Sequence, residues 1–248
     1  MTMPALRLVN WNVEWATLRS RRGKILRQTI EALHPDIICI TEGHTDFPPD
    51  FGHLIISEAD YGYPFKAGRR KVLLWSKRPW RRPTVAEEAK MPPGRYVEGV
   101  TATPLGDVRV AGVCIPWRHA HVSTGRRNRA VWEDHLRYLA GLKAHIPLLT
   151  DLPLILTGDF NQRIPPARIP ARVSQELLSL IEANSLTLAT SGPLPGTNHP
   201  TVDHIVLSSD LSAARVWELP ATTPDGRHLS DHEGVAADIS MNFPRSET

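Results

Sequence analysis

The chain has little cysteine and no long run of apolar residues. Only two cysteines occur in 248 residues, Cys39 and Cys114, and each lies in an apolar stretch typical of a strand. Two widely spaced thiols do not make a disulfide framework and are typical of small buried side chains. The first residues enter an alternating strand pattern without the uncharged apolar stretch of a signal peptide or a membrane span. These absences predict a cytoplasmic protein without a membrane anchor.

Aromatic residues are few and the net charge is small, but the basic residues are clustered. The formal net charge is +3 and the sequence pI is about 9.0. One cluster spans 19–24, and a longer one runs from Arg69 to Arg82 with Trp75 and Trp80 among the basic residues. Lysine and arginine neutralise phosphates and aromatic rings stack on bases, so the longer segment predicts a nucleic-acid partner. The alternative is a solvated surface around an edge strand.

Strand-like runs and helical patterns alternate without a linker long or polar enough to separate domains. Helices are predicted over 23–33, 127–143 and 173–183, and about ten apolar runs have the character of strands. Few of these strands are joined by helices. The pattern therefore predicts an α/β fold in which two mixed β-sheets pack face to face with helices on the outside. We expect one domain over residues 1–248.

Polar side chains recur where the predicted strands end or begin. The clearest example is "ILTGDFNQ", in which an apolar strand leads directly into an acid and an amide. The full set is Asn12, Glu42, Asp159, Asn161, Asp203, Asp231 and His232. Oxygen ligands of this kind suit a hard divalent cation, a carboxylate can activate water, and a histidine held by a second carboxylate can donate to a phosphate. Metal-assisted phosphoester hydrolysis would use all of them.

The order of five short motifs resembles the endonuclease/exonuclease/phosphatase superfamily, which includes DNase I-like and exonuclease III-like nucleases. The motifs are "NWN", "ITE", "GDFN", "VDHIVLS" and "SDH", and the resemblance covers about 6–239. It implies a four-layer α/β sandwich of the DNase I type. It also implies a nuclease that cleaves phosphodiester bonds in DNA or RNA with Mg²⁺ or Mn²⁺ as cofactor.

The resemblance further implies a role for each of these residues. Glu42 would be the principal metal ligand, with Asn12 and Asp231 close to the ion. The catalytic residues would act beside it. Their implied roles are the handling of the attacking water by Asp159, a hydrogen bond to the phosphate from Asn161, and contact with the scissile phosphate by His232, which Asp203 orients.

The chain departs from the superfamily pattern at two places. Thr41 stands where glutamine usually precedes the metal-binding glutamate. Cys114 and Trp117 stand where abasic-site endonucleases have tyrosine and asparagine, which argues against abasic-site repair in particular. His119 lies a few residues beyond this strand and is our candidate for the missing phosphate donor.

Three other functions compete with a nuclease. A phosphatase or phosphodiesterase for a small phosphorylated metabolite or a lipid headgroup would use the same site residues. A non-catalytic nucleic-acid-binding relative is a second alternative, although such proteins usually lose a metal carboxylate or the histidine, and both are present here. A calcineurin-like metallophosphatase is disfavoured because its Asp-x-His and Gly-Asn-His elements are missing.

Overall fold

Strands make up most of the regular structure. The computed structural model describes residues 4–89, 91–195 and 197–242. Its elements are, in chain order, β1 (Leu6–Asn12), α1 (Arg21–Glu31), β2 (Ile37–His44), β3 (His53–Ile56), β4 (Arg69–Ser76), β5 (Trp80–Val85), β6 (Tyr96–Thr103), β7 (Gly106–Cys114), α2 (Glu133–His145), a 3-10 helix (Ile146–Leu149), β8 (Leu154–Asp159), α3 (Ala171–Ala183), β9 (Thr187–Leu188), β10 (Asp203–Leu207), β11 (Leu211–Leu219) and β12 (Gly234–Met241).

The strands form two six-stranded sheets with the same pairing pattern. The first sheet has the order β11-β12-β1-β2-β4-β3, and the second has the order β5-β6-β7-β8-β10-β9. In each sheet one central pair is parallel, β1 with β2 and β7 with β8, and the remaining pairs are antiparallel. The carboxyl ends of β1 and β2 therefore lie at one edge of the first sheet.

Side chains that alternate along the central strands separate an inner core from two outer cores. Leu8 of β1 and Cys39 of β2 pack in the inner core against Val110 and Ile205 of the other sheet. The opposite face of the first sheet packs on α1, and the opposite face of the second sheet packs on α2 and α3. The layers are therefore helix, sheet, sheet and helices, which confirms the predicted four-layer sandwich.

The second helix begins later than predicted, at Glu133 and not near residue 127. Trp132, directly before it, has φ of 68°, a left-handed conformation that a continuing helix cannot contain. Val131, inside the predicted helix range, is exposed, whereas Tyr138 and Leu142 form the buried face of the observed helix. The chain before the helix is consequently a long loop, and this loop lies near the functional site.

Two short strands, β5 and β9, form the two edges of the second sheet and add to the roughly ten predicted runs. β5 runs through the basic segment, which agrees with the alternative prediction of a surface around an edge strand. Within the described part of the chain, no helix combines the length and the apolar character that crossing a bilayer would require.

Candidate active site

The inner core changes from apolar to polar at one edge of the two sheets. Leu6 and Leu8 of β1 point between the sheets, and the strand period of two directs Asn10 and Asn12 the same way. In the second sheet, Asp159 ends β8 and pairs with Asp203, which begins the antiparallel β10. The alternation that builds the core thus also brings these side chains together at its end.

Hydrogen bonds join the two sheets at this edge. Asn10 Nδ2 donates to the carbonyl of Gly158 at 3.0 Å and to Asp203 Oδ1 at 3.3 Å. Asn12 Nδ2 donates to Asp159 Oδ2 at 3.2 Å. All four residues that contribute to these bonds through side chains are buried. The positions of the two aspartates therefore depend on residues of the opposite sheet, which sequence analysis had not recognised for Asn10.

The turn before β12 brings His232 to Asp203. Because β12 is antiparallel to β1, its first residues lie beside the end of β1. Ser230 Oγ donates to the carbonyl of Asn12 at 2.6 Å, and Trp11 Nε1 donates to the carbonyl of His232 at 2.9 Å. His232 Nδ1 lies 2.6 Å from Asp203 Oδ2. The ring is thus oriented by a carboxylate, with Nε2 left for another partner.

Burial and mutual charge shift the pKa values of this group. Burial opposes the charged imidazole, but the carboxylates of Asp203 and Asp159 and the Asp203 hydrogen bond outweigh it and raise the pKa of His232 to about 10. Burial raises the pKa of Asp159 to about 7, an effect strengthened by the charges of Asp203 and Glu42 and opposed by His232. Burial also raises the pKa of Asp203. At neutral pH the site therefore combines a charged imidazole with a carboxyl group able to exchange a proton.

The turn after β8 holds Asp159 in one orientation. Asn161, at φ of 52°, donates its backbone N–H to Asp159 Oδ1 at 2.9 Å and its Nδ2 to Asp159 Oδ2 at 3.0 Å. The same Nδ2 donates to the carbonyl of Ile115 at 2.8 Å. Gly158 has φ of 144°, and a Cβ there would lie 1.9 Å from the carbonyl oxygen of Val113. The "GDFN" sequence thus allows the backbone conformation of this turn and also supplies the side chains of the site.

Glu42 is held in the left-handed region, with φ of 51°. A non-glycine residue at positive φ costs energy and is a recurrent feature of functional sites. Its Oε1 lies 2.5 Å from Lys71 Nζ, and Lys71 also lies over the rings of Trp15 and Tyr61, at 5.0 and 5.5 Å from their centroids. Glu42 therefore presents its carboxylate beside a buried ammonium group.

The donor set suits the divalent cation that the sequence predicts. Asn12, Glu42, Asp159 and Asp231 line one cleft of about 220 Å³, and all of them offer oxygen atoms. Oxygen-only donors are what Mg²⁺ and Mn²⁺ prefer. The Glu42 carboxylate already pairs with the Lys71 ammonium, so its charge is available to a cation that shares or replaces that partner. The donor chemistry of the cleft therefore fits a hard cation.

A second group also has ligand-like spacing but different chemistry. Asp159, Asp203 and His232 each offer one ligand atom, and these three atoms lie within 4.8 Å of one another. His232 Nδ1 is already bonded to Asp203, and the raised pKa keeps the imidazole protonated, which removes its metal-binding lone pair. These three side chains therefore form a hydrogen-bonded carboxylate–imidazole pair with a second carboxyl group beside it, and they do not suit a metal ion.

The cleft has three further lining residues, and two candidates do not line it. Lys71, Arg95 and Trp117 line it together with the predicted residues other than Asp203, which is fully buried beneath His232, and His119. Lys71 lines the cleft because β4 is antiparallel to β2, so that the first residues of β4 pair with the last residues of β2. Only the strand register could reveal this position of Lys71. His119 is not among the lining side chains; its ring packs on Trp117, with centroids 5.2 Å apart.

The basic segment does not form one continuous surface. Arg69 to Lys71 lie at the cleft end of β4, whereas Ser76, at the other end of β4, pairs with the first residue of β2. Arg81 and Arg82 belong to β5 and are paired with acids, Asp107 at 2.5 Å and Asp151 at 2.9 Å. Trp75 is buried in the core. Only the first part of the segment can therefore contact a substrate in the cleft.

Two packed mixed sheets, with an acidic cleft and a carboxylate–imidazole pair at one edge, define a sandwich of the DNase I type. The chain belongs to the Endonuclease/Exonuclease/phosphatase family, which it matches over residues 9–232. No curated protein matches it in sequence.

Solved structures of this family superimpose on most of the chain. An endonuclease/exonuclease/phosphatase from Beutenbergia cavernae has 20% identity and a TM-score of 0.69, with 96% of this chain and 72% of that chain covered. D. rerio TDP2 in complex with single-strand DNA product has 13% identity and a TM-score of 0.68, covering 95% and 99%. The 3′ phosphatase NExo from Neisseria, bound to a product DNA hairpin, has 18% identity and a TM-score of 0.65, covering 96% and 100%. At this identity the likeness establishes the fold.

Proposed function

We propose that this protein is a divalent-metal-dependent phosphoester hydrolase that cleaves phosphodiester bonds in nucleic acid. The observation that carries the proposal is the pairing of His232 Nδ1 with the fully buried Asp203 at 2.6 Å, beside Asp159 in the same cleft. His232 shares this cleft with Lys71 and Arg95, two cationic side chains that also suit a phosphate. A charged imidazole held by a carboxylate can donate a hydrogen bond to that phosphate.

The residues of the cleft divide the chemistry among them. Lys71, Arg95 and the charged His232 attract the phosphate and compensate the negative charge that develops on its oxygens. Asp159, oriented by Asn12 and Asn161, accepts a proton from the attacking water. The water oxygen then bonds to phosphorus while the bond to the leaving oxygen breaks. Glu42 and Asp231 would hold a divalent cation, and that cation would supply Lewis-acid stabilisation of the negative charge on the leaving oxygen.

Nucleic acid is the substrate class that the surroundings of the cleft favour. Arg69 lies 4.6 Å from the centroid of the Trp15 ring and Lys71 lies beside it, so a cationic and aromatic surface borders the cleft. Cationic groups at this border can neutralise backbone phosphates. The DNA in the TDP2 and NExo structures supports the same class.

A matched substrate panel tests the proposal. Single-stranded and duplex DNA, DNA with one abasic site, RNA, bis-p-nitrophenyl phosphate and a phosphomonoester are incubated with Mg²⁺, Mn²⁺ or EDTA. Asp159→Ala is the control variant. We expect cleavage of a nucleic acid that EDTA and the substitution both abolish.

The other outcomes separate the alternatives. Hydrolysis of small esters alone would assign the protein to phosphatases or phosphodiesterases of phosphorylated metabolites. Binding of nucleic acid without hydrolysis in any metal would indicate a non-catalytic relative. Hydrolysis that persists in EDTA would contradict the predicted role of Mg²⁺ or Mn²⁺.

A further inference from the structure

A second cavity, rich in arginine, adjoins the candidate active site. Its volume is about 340 Å³, within the range of small-ligand pockets. The loop that precedes α2, the first turns of α2 and the segment 91–95 form most of its wall. Its charged or titratable lining residues are Tyr61, Arg95, His121, Arg126, Arg129, Asp134 and Arg137.

The positive charges of this cavity exceed its negative ones. Asp134 is the one acid among the lining residues, and Arg129 Nε already pairs with it at 2.6 Å. Among the described residues, Arg126 pairs with Asp60 at the surface, at 3.2 Å, and the nearest carboxylate oxygen to Arg137 belongs to Glu133, at 3.9 Å. The four arginines of the lining therefore outnumber its one acid, and they border a space that can hold a ligand.

His121 adds no charge to this balance. Its Nδ1 accepts the backbone N–H of Arg126 at 3.2 Å, which places its proton on Nε2 near Asp134. Burial, with the nearby charges of Arg95 and Arg126, lowers its pKa against the opposing effect of Asp134. The imidazole is thus a neutral hydrogen-bond donor that positions the loop.

Arg95 connects the cavity to the catalytic cleft, because its side chain lines both. The residue is only 3% exposed, yet no described carboxylate lies within ion-pair distance of it. Its Nη1 donates weakly to the carbonyl of Cys114 at 3.3 Å, and its buried Nη2 has no partner among the described residues. A buried guanidinium without an acid is costly, and an anionic ligand would satisfy it.

We propose that the arginine cavity binds a second phosphate group of the substrate, separate from the phosphate that is cleaved. Arginine is the side chain best matched to phosphate, since its guanidinium donates two parallel hydrogen bonds to phosphate oxygens. Because Arg95 lines both the cavity and the cleft, only its side chain separates a phosphate in the cavity from the scissile phosphate. The enzyme then prefers substrates that carry a phosphomonoester next to the scissile ester. This inference rests on the proposed hydrolase function.

Binding of inorganic phosphate tests the cavity without any need for catalysis. Titration calorimetry in EDTA compares the unmodified protein with the double variant Arg126→Ala/Arg137→Ala. Both arginines are about half exposed, so their truncation removes charge without opening the core. The matched control is Arg78→Ala/Arg172→Ala, two exposed arginines that line neither cavity.

We expect phosphate affinity to fall at least about tenfold in the first double variant and to be unchanged in the control, because each charge-assisted hydrogen bond contributes substantially to binding. Equal affinity in the unmodified protein and the first variant would overturn the proposal. So would an absence of phosphate binding at millimolar concentration.

Two nucleotide substrates then test specificity. Thymidine 5′-(4-nitrophenyl phosphate) is compared with its 3′-phosphorylated derivative, which adds one phosphomonoester to the same scissile ester. We expect kcat/KM to favour the derivative by at least about tenfold, and this ratio to approach one in Arg126→Ala/Arg137→Ala. A ratio near one in the unmodified protein would contradict the inference while leaving the hydrolase function intact. Failure to cleave either substrate or any member of the earlier panel would contradict the hydrolase function, and phosphate binding would still decide the cavity.

Oligonucleotides identify where the second phosphate comes from. Strands ending in a 5′-phosphate, a 3′-phosphate or hydroxyls only are compared under the same conditions. A preference for one phosphorylated end supports a strand terminus as the ligand. A preference confined to the mononucleotide supports a small nucleotide bearing two phosphates. Equal rates on all substrates would exclude both and refute the proposal.

Discussion

The substitution Asp203→Asn tests the role of the carboxylate–imidazole pair most directly. Asp203 is fully buried, and its Oδ2 lies 2.6 Å from His232 Nδ1. Asparagine has nearly the same shape, and its amide oxygen can still accept the hydrogen bond from Asn10. Its NH₂ group would face His232 Nδ1 as a donor, so the ring must offer an unprotonated nitrogen there. The imidazole is then neutral, with its proton on Nε2.

The size of the effect follows from the shifted pKa. The pKa of His232 is about 10, against an ordinary value of 6.5, which corresponds to about 5 kcal/mol in favour of the charged ring. Burial lowers this pKa, and the NH₂ group of the asparagine leaves no room for a proton on Nδ1, so we expect a ring that is neutral at pH 7 even though the charges of Asp159 and Asp231 still raise its pKa. We expect turnover to fall at least about 10²-fold, the typical loss when a transition-state donor is removed. We expect the free energy of unfolding to change by less than about 2 kcal/mol, because the neutral ring leaves no unpaired buried charge.

Two measurements check this prediction. NMR titration of the His232 ring in metal-free protein gives its pKa in both forms, and steady-state kinetics on the preferred substrate gives turnover. Asp46→Asn is the control, since Asp46 pairs with His44 at 3.8 Å and is exposed. A ring still charged above pH 8 in Asp203→Asn, or a loss of turnover below about tenfold, would refute the reasoning.

The remaining predictions concern the backbone, the cation and acid stability. Gly158→Ala should destabilise the fold by at least about 2 kcal/mol more than Gly106→Ala in urea unfolding, since both have positive φ but only the Gly158 Cβ would meet backbone within 4 Å. Equal losses would mean that backbone strain alone matters. Lys71→Met should tighten Mn²⁺ binding several-fold in calorimetry because the ammonium competes for the Glu42 carboxylate, whereas weaker binding would show that Lys71 supports the cation site. The pKa of His204 is lowered to about 4, so the unfolded chain takes up a proton that the native protein refuses, and stability falls as pH drops from about 6.5 towards 4. Urea unfolding of His204→Gln should lose about 2.5 kcal/mol less between pH 7 and pH 4.5; an unchanged pH dependence would exclude His204 as a cause.

The sequence identified most of the candidate site because its residues occupy the ends of strands. Asn12, Glu42 and Asp159 each follow an apolar run, and such runs are recognisable without any tertiary information. Strand alternation also directs His204, the residue after Asp203, to the opposite face of β10, where its ring bonds to Thr190 and to the carbonyl of Gln162. The catalytic and metal-binding roles themselves stay predictions, as do the cytoplasmic location and the single domain over 1–248.

Residues that reach the site through pairing register were beyond sequence analysis. Lys71 lies near the start of β4 in a run of basic residues, and such a run is typical of an exposed surface. Only the antiparallel alignment of β4 with β2 places it against Glu42. Arg95, the residue directly before β6, similarly lines the cleft because β6 begins beside the end of β7. His119 shows the converse, since nearness in sequence to a site strand did not bring it into the cleft.

Periodicity along the chain determined the layers of this protein, and tertiary structure determined the surroundings of its charged side chains. An alternation of apolar and polar residues specifies which side of a strand is buried, because side chains point to opposite faces. Whether a basic residue faces solvent, an acid or a ligand depends on which strand end or loop packs beside it, and that partner lies far away in sequence. The sequence pattern therefore locates Asp159 at a strand end but does not show which basic residues face a ligand. The arginine cavity exists only because the loop before α2 packs against Arg95.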